Sequence, residues 1–230
     1  MKLCLDVGNT SISLGFFADG RLLQKSSLPT ADYRKFRLPP QIDKVVYASV
    51  VPHIDPYFAH RCSPTNFLPL TYKHIKNIRI ALPQKKEIGI DRLVNASGAA
   101  VFYGSPLIII DLGTATTFCV LDQKLVYQGG LICPGINLTR LVLHEKTAKL
   151  PLIELKSKPP RLIGNSTVKA MRSGIYYGYA ALINGLAAAL RQEVPRAKVI
   201  ATGGYAELLA QDIDTDIIDT DLTLKSLNLF

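Results

Sequence analysis

Two segments of this chain put a carboxylate at the end of an apolar run and follow it at once with glycine and hydroxyl side chains. Asp6-Val7-Gly8-Asn9-Thr10-Ser11-Ile12-Ser13 follows Leu3-Cys4-Leu5, and Asp111-Leu112-Gly113-Thr114-Ala115-Thr116-Thr117 follows Leu107-Ile108-Ile109-Ile110. Gly8 lets backbone approach an oxygen closely, Thr10, Ser11 and Ser13 offer hydroxyl donors, and Asp6 can hold a magnesium ion through its water shell. This is phosphate-handling chemistry. Asp, Gly and Asn are also common turn residues, but the second copy, again aiming an acid and hydroxyls out of a strand end, argues for two hairpins facing one ligand. Thr202-Gly203-Gly204 adds a flat backbone surface after a strand, where a purine and ribose can rest. No GxxxxGK[ST] occurs, which excludes a Walker P-loop. In Gly89-Ile90-Asp91-Arg92 a carboxylate at a helix first turn can take the proton of an attacking alcohol, and the adjacent Arg can pair the acid end of a small substrate. The plainer alternative is a helix-start acid with a surface ion pair.

These residues need elements to hold them, and the chain supplies an internal repeat. Lys2 to Phe17 reads as a strand, a turn and a second strand, and residues 107 to 122 repeat the plan. Each copy turns, at Ala18-Asp19-Gly20 and at Asp122-Gln123-Lys124, into a third strand, Arg21 to Lys25 or Leu125 to Gly129. Between the two meanders the pattern predicts strands at Lys44 to Val51 and Ile78 to Leu82 and a helix from Ile90 to Tyr103. In the second half, Asn165 or Ser166 can cap a long helix to about Gln192, on which Val168, Met171, Ile175, Tyr179, Leu182 and Leu186 recur at helical steps. Gly174 and Gly178 on that helix would allow close approach of another element. Strand Lys198 to Ala201 and a short helix Tyr205 to Ala210 complete a β-turn-α unit. The expected fold class is α/β: a duplicated fold of two half-domains with mixed sheets, residues 1–105 and 106–230.

Composition narrows the classes. The chain has 230 residues, 48% of them hydrophobic and 20% charged, enough for one large or two small cores. No run reaches ~18 apolar residues, and Asp6 interrupts the start before a signal-peptide stretch could develop, so a cytoplasmic protein without a membrane segment is expected. Cys4, Cys62, Cys119 and Cys133 lack CxxC spacing and read as reduced, mostly buried thiols rather than a disulfide framework or a zinc site. His53, His60, His74 and His144 are scattered, with no metal-ligand spacing. The net charge of +9 is spread over short groups with no long basic run or aromatic interleaving, which favours a general attraction for anionic small molecules over nucleic-acid binding.

The order phosphate hairpin, phosphate hairpin, adenosine turn resembles the acetate and sugar kinase, chaperone and actin superfamily, with its duplicated actin-like ATPase (ribonuclease H-like) fold. Within it, Gly89-Ile90-Asp91-Arg92, Gly129-Gly130-Leu131-Ile132-Cys133-Pro134-Gly135 and Gly164-Asn165-Ser166-Thr167 with Ser173-Gly174 resemble the signature segments of type III pantothenate kinases, in the family's order, from residue 3 to about 210. The resemblance implies ATP-dependent phosphorylation of pantothenate to 4′-phosphopantothenate, at the head of coenzyme A biosynthesis. It implies ATP contacts from Asp6, Val7, Gly8, Asn9, Thr10, Ser11, Ile12, Ser13 and Thr114, with Mg²⁺ near Asp6 and a monovalent cation, K⁺ or NH₄⁺, at Asp111. Gly89, Ile90, Asp91 and Arg92 would line the pantothenate site, Asp91 as general base, and Thr167 would reach the pantothenate of the partner subunit in a homodimer. Two positions depart from the family: Leu82 stands where many members carry a substrate-binding Tyr, and Gln84-Lys85 replaces a frequent Asn-Pro. The alternatives are a kinase of another small alcohol on the same fold and a non-enzymatic nucleotide-binding regulator.

Overall fold

The computed structural model describes the chain from Met1 to Phe230, which divides into two compact units, Met1–Gly104 with Asp221–Phe230, and Ser105–Thr220. In the first, β1 (Lys2–Val7), β2 (Ser11–Ala18) and β3 (Arg21–Pro29) form an antiparallel meander, while β4 (Lys44–Ser49) runs parallel to β1. Helix α1 (Asp55–Cys62) returns the chain to β5 (Asn66–Pro69), parallel to β4, giving the sheet order β3-β2-β1-β4-β5. The two-residue strand β6 (Arg79–Ile80) precedes α2 (Ile90–Tyr103). Leu3, Leu5, Val7 and Val45 are fully buried, as the near-continuous apolar runs of central strands require. The edge strand β3 is largely exposed and polar. It extends to Pro29, four residues past the expected end at Lys25, because pairing with β2 rather than its own apolar pattern sustains it. The β2–β3 loop is the two-residue turn Asp19-Gly20, both at positive φ, which suits the twist of the hairpin.

The second unit repeats the plan. β7 (Leu107–Leu112), β8 (Ala115–Leu121) and β9 (Val126–Pro134) make the meander, followed by α3 (Ile136–Glu145) and α4 (Thr167–Glu193). β10 (Lys198–Thr202) lies parallel to β7, and after α5 (Ala206–Leu209) β11 (Ile217–Ile218) lies parallel to β10. Within this unit the order β9-β8-β7-β10-β11 matches β3-β2-β1-β4-β5 strand for strand, so the duplication read from the two meanders extends to the parallel strands. Ser166 caps α4, its hydroxyl accepting from the Lys169 amide at 3.3 Å.

The chain ends in α6 (Leu222–Leu227), which packs on α2 and the first sheet. Residues 221–230 thus belong with the first unit, not with the half-domain 106–230 in which the sequence placed them. A six-residue helix has no periodicity to reveal its partner, and what fixes it is contact: Leu224 against Gly15, Ser226 against Gly98, and the Lys2 and Lys44 ammonium groups donating to the carbonyls of Asn228 (2.7 Å) and Phe230 (2.5 Å). The four cysteines are unbridged, three of them buried. Burial pushes the Cys4 thiol up to about 12 and that of Cys62 to about 11, so both stay protonated. No helix is long and apolar enough to cross a membrane.

Candidate active site

In the first unit Asp6 stands at the penultimate position of β1, opposite Ser13 of β2 and beside Ala48 of β4. The turn that follows is pinned from several sides. The Gly8 amide donates to the Ser11 carbonyl (3.0 Å), the buried Thr30 hydroxyl to the Gly8 carbonyl (2.6 Å), and the Thr30 amide to the Thr10 carbonyl (3.0 Å). A rigid loop results, in which Asn9, Thr10 and Ser11 are exposed and Asp6, Gly8 and Ser13 half-buried. Val7 and Ile12 bury their side chains in the core, so only their backbone is available to a ligand.

Asp91 belongs to the same edge of the sheet. The Val50 amide, just past β4, donates to the Val7 carbonyl at 3.0 Å, and a Cβ on Gly89 would lie 3.6 Å from Val50 Cγ1. The Gly89-Ile90-Asp91-Arg92 turn therefore gathers with Asp6 and Gly8 at the carboxyl ends of parallel strands β1 and β4, where open α/β sheets bind ligands. A Cβ on Gly89 would also sit 2.4 Å from Asp91 Oδ1, so only glycine lets the carboxylate fold back on its own turn. There Oδ1 accepts from the Arg92 amide at 2.8 Å. Burial raises the Asp91 pKa above the ordinary carboxylate value, the Arg92 amide and guanidinium opposing the shift. Ile90 is buried and Arg92 half-buried. Leu82, at the departure from the family pattern, is half-buried.

In the second unit the equivalent edge is more crowded. Asp111 lies opposite Thr117 and beside Thr202 of β10. Gly203 has φ +91°, and a Cβ there would lie 2.5 Å from Asp111 Oδ1 and 2.6 Å from the Leu112 amide nitrogen. The Tyr205 amide donates to the Leu112 carbonyl (3.3 Å). Asp111 and the Thr202-Gly203-Gly204 turn, more than ninety residues apart in the chain, are thus in direct contact. Gly113 and Thr114 are half-buried.

Two features were missed as parts of this edge. Gly135 caps α3, donates from its amide to the Thr114 carbonyl (3.1 Å), and has no room for a Cβ, which would stand 2.2 Å from that oxygen. The side-chain Oδ1 of Asn137 accepts from the Tyr205 hydroxyl at 2.5 Å, tying α3 to the turn after β10. The available signal was the strand-glycine-helix order of Cys133-Pro134-Gly135-Ile136, the same order that marked Thr202 to Tyr205. Thr116, close to Thr114 in sequence, is instead fully buried, and its hydroxyl has no protein partner.

Thr167 opens α4 on an exposed surface of its own unit. Of the apolar stripe of that helix, Met171, Ile175 and Tyr179 are buried in the core of the second unit and Leu182 and Leu186 pack against it, while Val168 stays exposed; also open are Gly174 and Gly178, where a methyl group would meet nothing within 4 Å. No three His, Cys, Asp or Glu side chains cluster as a metal cage. Single carboxylates beside hydroxyl-rich turns fit Mg²⁺ bound mainly through water and phosphate.

A family model described as type III pantothenate kinase matches residues 2–189. Relatives named type III pantothenate kinase include those of Exiguobacterium sibiricum, 39% identical over all of this chain and 98% of its own length, and Halalkalibacterium halodurans, 35% identical over all of this chain and 98% of its own. Among solved structures, a conserved Baf family protein from Campylobacter jejuni superposes with a TM-score of 0.68 at 21% identity, covering 99% of this chain and 96% of that one. The ethanolamine utilization protein EutJ from Carboxydothermus hydrogenoformans gives 0.59 at 13% identity, over 99% and 88%. The structural likenesses establish the actin-like fold, and the full-length sequence likeness establishes more: the chain belongs to the type III pantothenate kinase family.

Proposed function

We propose that the chain transfers the γ-phosphoryl group of ATP to the primary hydroxyl of pantothenate, giving ADP and 4′-phosphopantothenate, the first step of coenzyme A biosynthesis. The observation that supports this best is Asp91: a carboxylate of raised pKa, held at a helix start on the same sheet edge as the Asp6–Ser13 hairpin. A base whose pKa lies closer to the working pH accepts a proton more effectively. In this reading Asp91 takes the hydroxyl proton as the oxygen attacks the γ-phosphorus and the bond to the ADP oxygen breaks. Arg92 pairs the pantothenate carboxylate. The Gly8–Ser11 turn and Thr114 hold ATP, with the Gly203-Gly204 backbone under the adenosine. Mg²⁺ near Asp6 would neutralise phosphate charge, and a monovalent cation is assigned to Asp111. Such chemistry is mostly positioning and charge neutralisation, which accounts for a site of glycines, hydroxyls and carboxylates. A homodimer, with Thr167 reaching the partner's pantothenate, completes the proposal.

The test is ADP release by the purified chain with ATP, Mg²⁺ and K⁺, offered pantothenate and a panel of other primary alcohols. Pantothenate should stimulate release well above the rest. Release with a different alcohol alone would replace the substrate and leave the kinase standing, whereas ATP binding without turnover on any alcohol would favour a regulator. Equal rates in sodium-only and potassium buffers, free of ammonium, would remove the cation from Asp111.

A further inference from the structure

The second unit contains a cavity of about 350 Å³ where the segment before α4 folds against that helix. Its lining carries Lys156, Lys158, Arg161, Lys169 and Arg172 and one carboxylate, Glu154. Two of the cations are spoken for: Lys156 pairs Glu154 at 2.8 Å and Lys158 pairs Asp212 at 2.6 Å. Arg161 and Arg172 make no contact ion pair, Arg172 feeling Glu154 only at longer range, and the Lys169 ammonium has only a neutral acceptor, Asn165 Oδ1, at 3.0 Å. Three cations without a contact ion pair therefore line one cavity whose single carboxylate, Glu154, is already paired with Lys156. The wall that holds them is fixed to α4. The buried Ser173 hydroxyl donates to the carbonyls of Arg161 (3.1 Å) and Leu162, and the Tyr177 hydroxyl to that of Pro159 (2.8 Å). Gly164 lies so close to α4 that a Cβ would stand 2.2 Å from the Ala170 amide nitrogen. Holding like charges together on a fixed wall costs free energy that an anion would offset.

We propose that this cavity is a second anion site, selective for small molecules bearing a phosphate group of two or more charges. The volume falls in the range of small-ligand pockets, roughly 300–1,000 Å³. Guanidinium groups at Arg161 and Arg172 match phosphate oxygens in a planar, two-pronged way. None of the residues assigned above to ATP or pantothenate lines the cavity, so the site stands whether or not that assignment holds. A free phosphate and a phosphorylated metabolite share this chemistry: tighter binding of inorganic pyrophosphate than of a phosphomonoester marks the first, the reverse marks the second, and a neutral alcohol should not bind.

The experiment is calorimetric titration of the full chain with inorganic pyrophosphate, in the presence of a saturating non-hydrolysable ATP analogue. One pyrophosphate per chain should bind with the analogue in place. Arg161→Gln and Arg172→Gln, both at exposed side chains, should each weaken it by about tenfold or more, the effect of losing one charge-assisted bond. Lys124→Gln, an exposed lysine of the β8–β9 turn, should leave the affinity unchanged. Loss of binding once the analogue is present would assign the anion to the nucleotide residues and overturn the site. So would equal weakening by Lys124→Gln, the mark of diffuse charge attraction, or no binding at all.

Discussion

Asp91 illustrates how far a single side chain depends on its neighbours. The missing Cβ of Gly89 lets the carboxylate turn back, the Arg92 amide holds one oxygen, and burial raises the pKa against that hydrogen bond. A carboxyl whose pKa is higher in the folded than in the unfolded chain keeps its proton longer when folded. Its contribution to stability therefore falls as pH rises from the ordinary carboxylate range through the raised folded pKa, and stays low above it. Asp91→Asn removes that penalty, so the variant should melt no lower than the parent at pH 7, an advantage that shrinks below the ordinary carboxylate range; a lower melting temperature at pH 7 would mean the charge stabilises the helix start instead. Turnover should respond in the opposite sense, with kcat down by roughly 10² to 10⁴ and ATP affinity unchanged. Asp6→Asn should instead weaken Mg²⁺-ATP binding. Near-normal turnover in Asp91→Asn would move the base to another carboxylate.

At the scale of elements, contact chemistry decides what intrinsic propensity leaves open. Gly98 lies in the middle of α2, where alanine would favour the helix by about 1 kcal/mol. A methyl there would stand 1.8 Å from Ser226 Oγ and 2.9 Å from Ser226 Cα, so α6 would have to move, and overpacking costs about 1–3 kcal/mol. Gly98→Ala should therefore lower the denaturant midpoint, and adding Ser226→Gly should recover part of the loss, the 2.9 Å approach to the backbone Cα remaining. A rise in the midpoint for Gly98→Ala alone would show that α6 is free to shift. The same contacts explain what the amino-acid pattern reveals. α2 runs over Ile90–Tyr103, the span its periodicity predicts, because Leu93, Val94 and Ala96 face a core. α4 likewise starts where Ser166 caps it. α3 escapes the pattern since only Ile136 is buried while Leu138 and Val142 are exposed, so its apolar residues do not trace a core face. α1 and α6 are too short for periodicity to accumulate. Asp6, Asp91 and Asp111 stand out because turn chemistry is local. The contacts Asp111–Gly203 and Thr114–Gly135 join distant segments and emerge only on folding.

For the whole molecule, the duplication explains why the chemistry falls at corresponding places: Asp6 and Asp111 each sit where a meander strand meets its parallel neighbour, at Ala48 and Thr202. What the duplication leaves unexplained is the outer side of α4. A glycine inside a helix costs about 1 kcal/mol relative to alanine, and that cost is ordinarily offset where something needs the space. Inside one chain nothing does, since Gly174, Gly178 and Gly185 are exposed with no atom within 4 Å of a would-be methyl. The proposed homodimer supplies a reason, because two helices approach closely only through such small residues. This yields a prediction that separates the folding of a chain from its association. Gly178→Leu places a side chain into open space within one subunit and replaces a poor helix former with a good one, so the melting temperature measured under dissociating dilution should hold or rise. In the dimer the same leucine would wedge the helices apart. Light scattering should then report the parent at twice 25.2 kDa and the variant at 25.2 kDa, with the variant losing pantothenate affinity through Thr167 and keeping ATP affinity. A parent of 25.2 kDa with full activity would remove both the dimer and the shared substrate site, and a dimeric variant would place the interface on another face.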